Sequence, residues 1–177
     1  LELLTATALL LLETGASATQ RSFLMTDDAR AYENDPTDSR CDNGNVIVSR
    51  SSIASGGTYK VALTAFDIDF TMDPFTTTGV PHNAEITEAV ITTHHTSGND
   101  DWDTVTPYGI DFTWQDSCPD WNDVSTHVIP PPSIAGSATS TLGEFDVLSI
   151  VEAWRTGALA QRGILFRQEA ISANYTF

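Results

Sequence analysis

The chain has 177 residues, which is enough for one well-buried domain and short for two. It carries 24 acidic and 8 basic residues, a formal net charge of −16. This charge repels nucleic acid and anionic membrane surfaces, so we expect neither as a partner.

The first 12 residues, LELLTATALLLL, are almost all apolar or small. This run is too short for a membrane-spanning helix, which needs about 20 apolar residues. Read as a strand, it places Ala8, Leu10 and Leu12 on one apolar face. We predict a strand whose apolar members are Leu3, Leu4, Ala6, Ala8, Leu9, Leu10, Leu11 and Leu12. A short buried helix and a leftover signal segment are the alternatives.

We divide the chain into an arm at 1–16, a flexible linker at 17–20 and a folded domain at 21–177. Alternating or buried apolar patterns predict strands at 21–26, 45–50, 58–70, 84–95, 104–114, 162–169 and 173–177, with a further strand beginning before residue 147. The spacing in VLSIVEAWRTG predicts one short helix that ends at Gly157. The stretches 115–123 and 127–140 have the composition of loops. Many short strands and one short helix indicate an all-β sandwich.

The two cysteines, Cys41 and Cys118, lie 77 positions apart and have no zinc-site spacing. They form either one disulfide or two buried thiols. We favour the disulfide because the acidic, threonine-rich composition, with Lys60 as the one lysine, is typical of an extracellular chain. Closing so long a loop would stabilise the fold by about 4 kcal/mol.

Three kinds of site remain to be weighed. Trp102 and Trp121 lie in polar stretches and are the candidates for stacking on a sugar, but we expect a packing role for each. Asn174 begins the chain's N-glycosylation sequon, Asn-Tyr-Thr. The acidic groups comprise Asp27, Asp28, Asp100, Asp101, Asp103, Asp116, Asp120 and Asp123. They are expected to be solvated loop residues, with one structural calcium ion as the alternative and no other metal or cofactor.

No catalytic pattern is found in the sequence. It contains no nucleophile elbow, no His-Glu-x-x-His motif and no glycine-rich phosphate loop. We therefore expect a protein that is not an enzyme.

Three stretches resemble the DNRLRE (disaggregatase-related) domain: DDARAYENDPTDSRCDNGNVIVSR, YKVALTAFDIDF with VPHNAEITEAVITTHH, and EFDVLSIVEAWRTGALAQRGILFR. The resemblance covers about residues 21–168 and implies a jelly-roll-like β-sandwich grouped with carbohydrate-binding modules. The first 20 residues have no counterpart in that family. Members usually continue with a closing strand, whereas ten residues follow Arg167 here.

Because the sandwich would lack a strand and the chain carries an apolar arm, we predict that copies of the chain exchange this arm. The arm of one subunit would fill the groove of the next, and a head-to-tail contact that does not close builds a filament. We expect an extracellular, cell-surface fibre that serves in adhesion or as a biofilm scaffold, with surface polysaccharide as a candidate partner and Asn174 as a candidate site of glycosylation. The alternatives are a monomeric carbohydrate-binding module and an arm that folds back into its own sandwich.

Overall fold

The fold is taken from a computed structural model. It describes residues 7–14, 17–41, 47–50, 59–71, 79–81, 84–93, 97–98, 105–114, 118–128, 132–139, 143–169 and 172–176. The strands are β1 (Thr7–Thr14), β2 (Ser17–Tyr32), β3 (Asp35–Cys41), β4 (Ile47–Arg50), β5 (Tyr59–Phe66), β6 (Glu85–Thr92), β7 (Ser97–Gly98), β8 (Val105–Gly109), β9 (Ser137–Ala138), β10 (Glu144–Asp146), β11 (Ile164–Gln168) and β12 (Ser172–Thr176). The helices are α1 (Trp121–Val128) and α2 (Leu148–Thr156).

The strands form the two sheets of an all-β sandwich, as predicted. The first sheet has the order β2–β1–β6–β10–β9. In the second sheet, β5 lies between β2 on one side and β4 and β11 on the other. The remaining strands extend this sheet: β3 pairs with β2, β8 pairs with β11, and β12 pairs with both β4 and β7. The long β2 belongs to both sheets, and its pairing with β5 shifts register between Met25 and Asp27. Such a shift lets a strand bend from one sheet into the other.

The main core lies between the sheets. The first sheet contributes Ile86, Ala89, Ile91 and Phe145, and the second contributes Ala62, Val105, Ile164 and Phe166. The ring of Phe145 meets that of Phe166 edge-on, with centroids 5.1 Å apart. Helix α2 closes this core with Ile150, Val151 and Trp154, and it ends at Gly157 in the left-handed conformation, as predicted.

A second core lies on the outer face of the second sheet, where α1 packs. Trp121, Val124 and Val128 of the helix are buried there with Val61 and Leu63 of β5. Because β5 is covered on both faces, its side chains are almost all buried. Because α1 covers residues 121–128, the prediction of loops at 115–123 and 127–140 is wrong at 121–123 and 127–128, and β9 lies within the second of these stretches.

A reciprocal pair of hydrogen bonds explains the start of α1. The backbone N–H of Asp123 donates to Asp120 Oδ1 and that of Asp120 donates to Asp123 Oδ2, both at 3.1 Å. This is a capping box, which satisfies two backbone donors that a helix start would leave unpaired. These two acidic residues thus cap a helix.

Two further differences from the sequence prediction concern β2 and β3. Residues 17–20, predicted as a linker, are the first four residues of β2 and pair with β1. The acidic stretch after residue 26 continues β2 and forms β3, because the small apolar Ala29 and Ala31 pack in the second core. Backbone pairing and these two alanines outweigh the loop-like composition of the stretch.

Cys41 and Cys118 are joined by a disulfide, with their Cα atoms 5.5 Å apart. The bond connects the end of β3 to the segment that leads into α1. It therefore ties the helix to the sheet that the helix covers.

Arg167 also connects α1 to the second sheet. Its buried guanidinium donates to the carbonyl of Val128 at 2.9 Å and to the Tyr59 hydroxyl at 3.2 Å. Glu169 lies 3.4 Å from the same guanidinium and accepts a hydrogen bond of 2.7 Å from the Tyr108 hydroxyl. This network holds the last carbonyl of the helix against β11.

We expect the Tyr108 hydroxyl to make stability fall at alkaline pH. Burial, with the hydrogen bond to Glu169, raises the pKa of Tyr108 to about 12. A folded pKa above the unfolded value of about 10 favours the neutral phenol, so its contribution is complete below pH 10 and is lost as pH rises toward 12. The check is the difference in urea midpoint between the parent chain and Tyr108→Phe from pH 8 to 11.5. The difference between the two midpoints should narrow above pH 10. A difference that stays constant up to pH 11.5 would contradict the raised pKa of Tyr108.

Candidate functional site: the position of the N-terminal strand

The N-terminal strand lies in the interior of the first sheet. On one side β1 pairs antiparallel with β2, from Thr7 opposite Leu24 to Thr14 opposite Ser17. On the other side it pairs antiparallel with β6, from Thr7 opposite Thr92 to Glu13 opposite Glu85. In this single chain β1 therefore occupies a position in its own sandwich, which is one of the alternatives that the sequence left open.

The register gives β1 a core-side row of positions. Ala8 is opposite Ile91 of β6 and Phe23 of β2, and Leu10 is opposite Ala89. Ile91, Ala89 and Phe23 are all buried in the main core. Directly opposite residues share a face of the sheet, so Ala8 and Leu10 occupy core-side positions, and Leu12, opposite the buried Ile86, continues the row.

The alternate positions of β1 fall on the outer face. Leu9 is opposite Val90 of β6 and Ser22 of β2, and Leu11 is opposite Glu88 and Gln20. Ser22, Gln20 and Glu88 are exposed, and Val90 is half-buried. The period of two seen in the arm sequence thus corresponds to two distinct faces of one sheet.

β1 is the first strand of the described structure, and residues 15 and 16 connect it to β2. Its departure would leave β2 and β6 with unpaired backbone edges beside the main core.

The acceptor residues were not among the predicted site residues. Phe23, Ala89 and Ile91 form the core side of the position that β1 fills. The alternation in β6 marks Ala89 and Ile91 as inward-facing, but which strand lies beside them is a long-range property. Of the predicted arm residues, Leu3, Leu4 and Ala6 lie outside the described residues.

Of the two predicted sugar-contact residues, the structure describes Trp121, which is buried. Trp121 is 7% exposed, and its ring stacks on Tyr59 at 6.3 Å between centroids. Its large apolar area packs α1 onto the second sheet, which explains why it is not at the surface. Trp102 lies outside the described residues.

The remaining predicted sites are placed as follows. Asn174 lies in β12, opposite Ser49 of β4. Of the predicted acidic groups, Asp100, Asp101, Asp103 and Asp116 lie outside the described residues. Within the described ranges, no three or more His, Cys, Asp or Glu side chains are grouped so as to hold a metal ion.

Comparisons with protein-family models, curated proteins and solved structures find no match to this chain. Among the described helices, none is long and apolar enough to cross a membrane. The position of β1 is therefore the feature from which a function can be argued.

Proposed function

We propose that this chain is the subunit of an extracellular surface filament that polymerises by exchanging its N-terminal strand, and that it serves in adhesion or as a biofilm scaffold. The strand of one copy would fill the position between β2 and β6 of the next. The observation that carries the proposal is that an apolar strand, β1, fills an interior position of the sheet between β2 and β6.

The position between β2 and β6 and the apolar arm each need a partner. Without a strand in this position, β2 and β6 would carry unpaired N–H and C=O groups next to Phe23, Ala89 and Ile91. An arm with five leucines or alanines in sequence from Ala8 to Leu12 is poorly soluble on its own, since burying each aliphatic side chain is worth roughly 1.5–3 kcal/mol. A second copy supplies the same strand in the same register, so exchange between copies satisfies both needs.

The connection between β1 and β2 determines which polymer exchange produces. If residues 15 and 16 simply straightened, two copies would pair reciprocally, Thr14 of each opposite Ser17 of the other, and form a closed two-fold dimer. A filament requires each arm to leave its own β2 at a different angle. The copy that receives the arm is then not the copy that supplies an arm in return. Filament and closed dimer are therefore distinct products that one experiment can separate.

A disulfide placed between β1 and β6 tests the proposal. Leu9 and Val90 are directly opposite in the regular part of the ladder. Opposite Cα atoms lie about 4.5–5.5 Å apart, within the range that a disulfide bridges. Leu9→Cys with Val90→Cys, assembled and then oxidised, should give a ladder of covalent multimers on a non-reducing denaturing gel.

A matched control uses Leu9→Cys with Glu144→Cys. Glu144 lies on β10, one strand beyond β6, so its Cα is at least about 9 Å from that of Leu9 and cannot be bridged. This pair should give no ladder. A cross-linked monomer alone from the Leu9 and Val90 pair would mean that the arm stays in its own chain, and a dimer alone would mean reciprocal exchange; either result overturns the filament.

A further inference from the structure

The first eight residues of β2, Ser17–Leu24, form one edge of the first sheet. They pair with β1 on one side, and no described strand pairs with their other side. An edge of this length presents a row of backbone N–H and C=O groups that can accept another strand. Leu24, at the end of this edge, is a large apolar side chain that is 63% exposed.

The register identifies the residues whose backbone groups point outward. Two residues separate the paired Thr14 and Ser17, and in such a hairpin the flanking pair exchanges both backbone hydrogen bonds. Hydrogen-bonded and non-hydrogen-bonded pairs then alternate along the ladder. The N–H groups of Gln20, Ser22 and Leu24 therefore point away from β1, toward the open edge.

The charge of this edge favours a second copy as the partner. The whole chain has a net charge of −16, so most surfaces of two copies repel each other. Residues 17–24, SATQRSFL, contain no acidic residue and one basic residue, Arg21. Two of these edges can meet without opposing carboxylates.

We propose that the outer edge of Ser17–Leu24 pairs antiparallel with the same edge of a second copy, forming a two-fold contact in which the two first sheets become continuous. An antiparallel pairing that keeps the outer faces on the same side can place Gln20 opposite Gln20 and Thr19 opposite Arg21, so that the two Arg21 residues are offset. This contact uses the side of β2 that β1 does not occupy, so it is separate from strand exchange.

The test uses a chain that cannot exchange its arm. The Leu9→Cys, Val90→Cys protein is refolded and oxidised at nanomolar concentration, and the cross-linked monomer is isolated. Its association is then measured by sedimentation equilibrium, alone and with Ser22→Pro, which removes one outward N–H and leaves the hydrogen bonds to β1 intact. Ser22→Thr is the matched control, because it keeps the N–H and favours a strand.

We expect a dimer whose dissociation constant rises at least tenfold with Ser22→Pro and stays within twofold with Ser22→Thr. Ser22→Lys, which places a charge on the edge, should weaken the dimer similarly, and circular dichroism checks that each variant keeps its fold. A locked chain that stays monomeric at high micromolar concentration, or a dimer indifferent to both Ser22→Pro and Ser22→Lys, would overturn the edge contact. Neither result bears on strand exchange, which the covalent ladder tests.

Discussion

Deleting residues 1–14 is expected to remove most of the free energy of unfolding of the isolated subunit. The deletion takes away β1, whose two ladders join β2 to β6 in the interior of the first sheet. Domains of this size have about 5–15 kcal/mol in total, so losing an interior strand and uncovering its core side leaves little. Chemical denaturation followed by tryptophan fluorescence and circular dichroism gives the measurement. A truncated chain with the parent's midpoint would show that β1 is not an integral strand.

A peptide supplied in trans tests whether the strand itself, in the register described above, provides the stability lost on deletion. Residues 1–14 as a synthetic peptide should restore the fold of the truncated chain, with a midpoint that rises with peptide concentration, because a ligand of the folded state stabilises it by mass action. The same peptide with Leu10→Glu places a charge at the position opposite the buried Ala89 and should fail. Equal rescue by both peptides would contradict the register described above.

The second large effect is expected at the disulfide between Cys41 and Cys118. Replacing both with alanine should lower the free energy of unfolding by about 4 kcal/mol, since a loop with a sequence separation of 77 is no longer closed in the unfolded chain. Because the bond leads directly into α1, we expect hydrogen exchange to increase first in residues 118–128. The parent chain under reducing conditions is the matched comparison and should behave like the double variant. A loss below about 1 kcal/mol would show that packing alone holds α1 in place.

Several features of this protein follow from local sequence. The strands β5 and β6, the helix before Gly157 and the two faces of β1 all come from the spacing of apolar residues. Spacing is a local property, so it is readable without knowing which elements meet. The same reasoning identified the arm as an unusual segment but could not say which strands would flank it.

Helix α1 was missed because its signals are weak without tertiary contacts. It has eight residues, shorter than the roughly 12–15 that an isolated helix needs in water. Three buried residues, a capping box and a nearby disulfide stabilise it against the second sheet. Trp121 has the packing role that the sequence analysis preferred over a sugar contact, although the polar residues around it concealed the helix to which it belongs.

By itself, the sequence determined that the chain is an all-β sandwich, that residues 7–14 form an alternating apolar strand, and that the chain is strongly acidic. The tertiary structure decided the rest: that β1 lies between β2 and β6, that β2 leaves an open edge of low charge, and that α1 covers the second sheet. The reason is physical. The spacing of apolar residues and the net charge can be read from the sequence without knowing which segments meet. Strand order and open edges depend on which distant segments lie side by side.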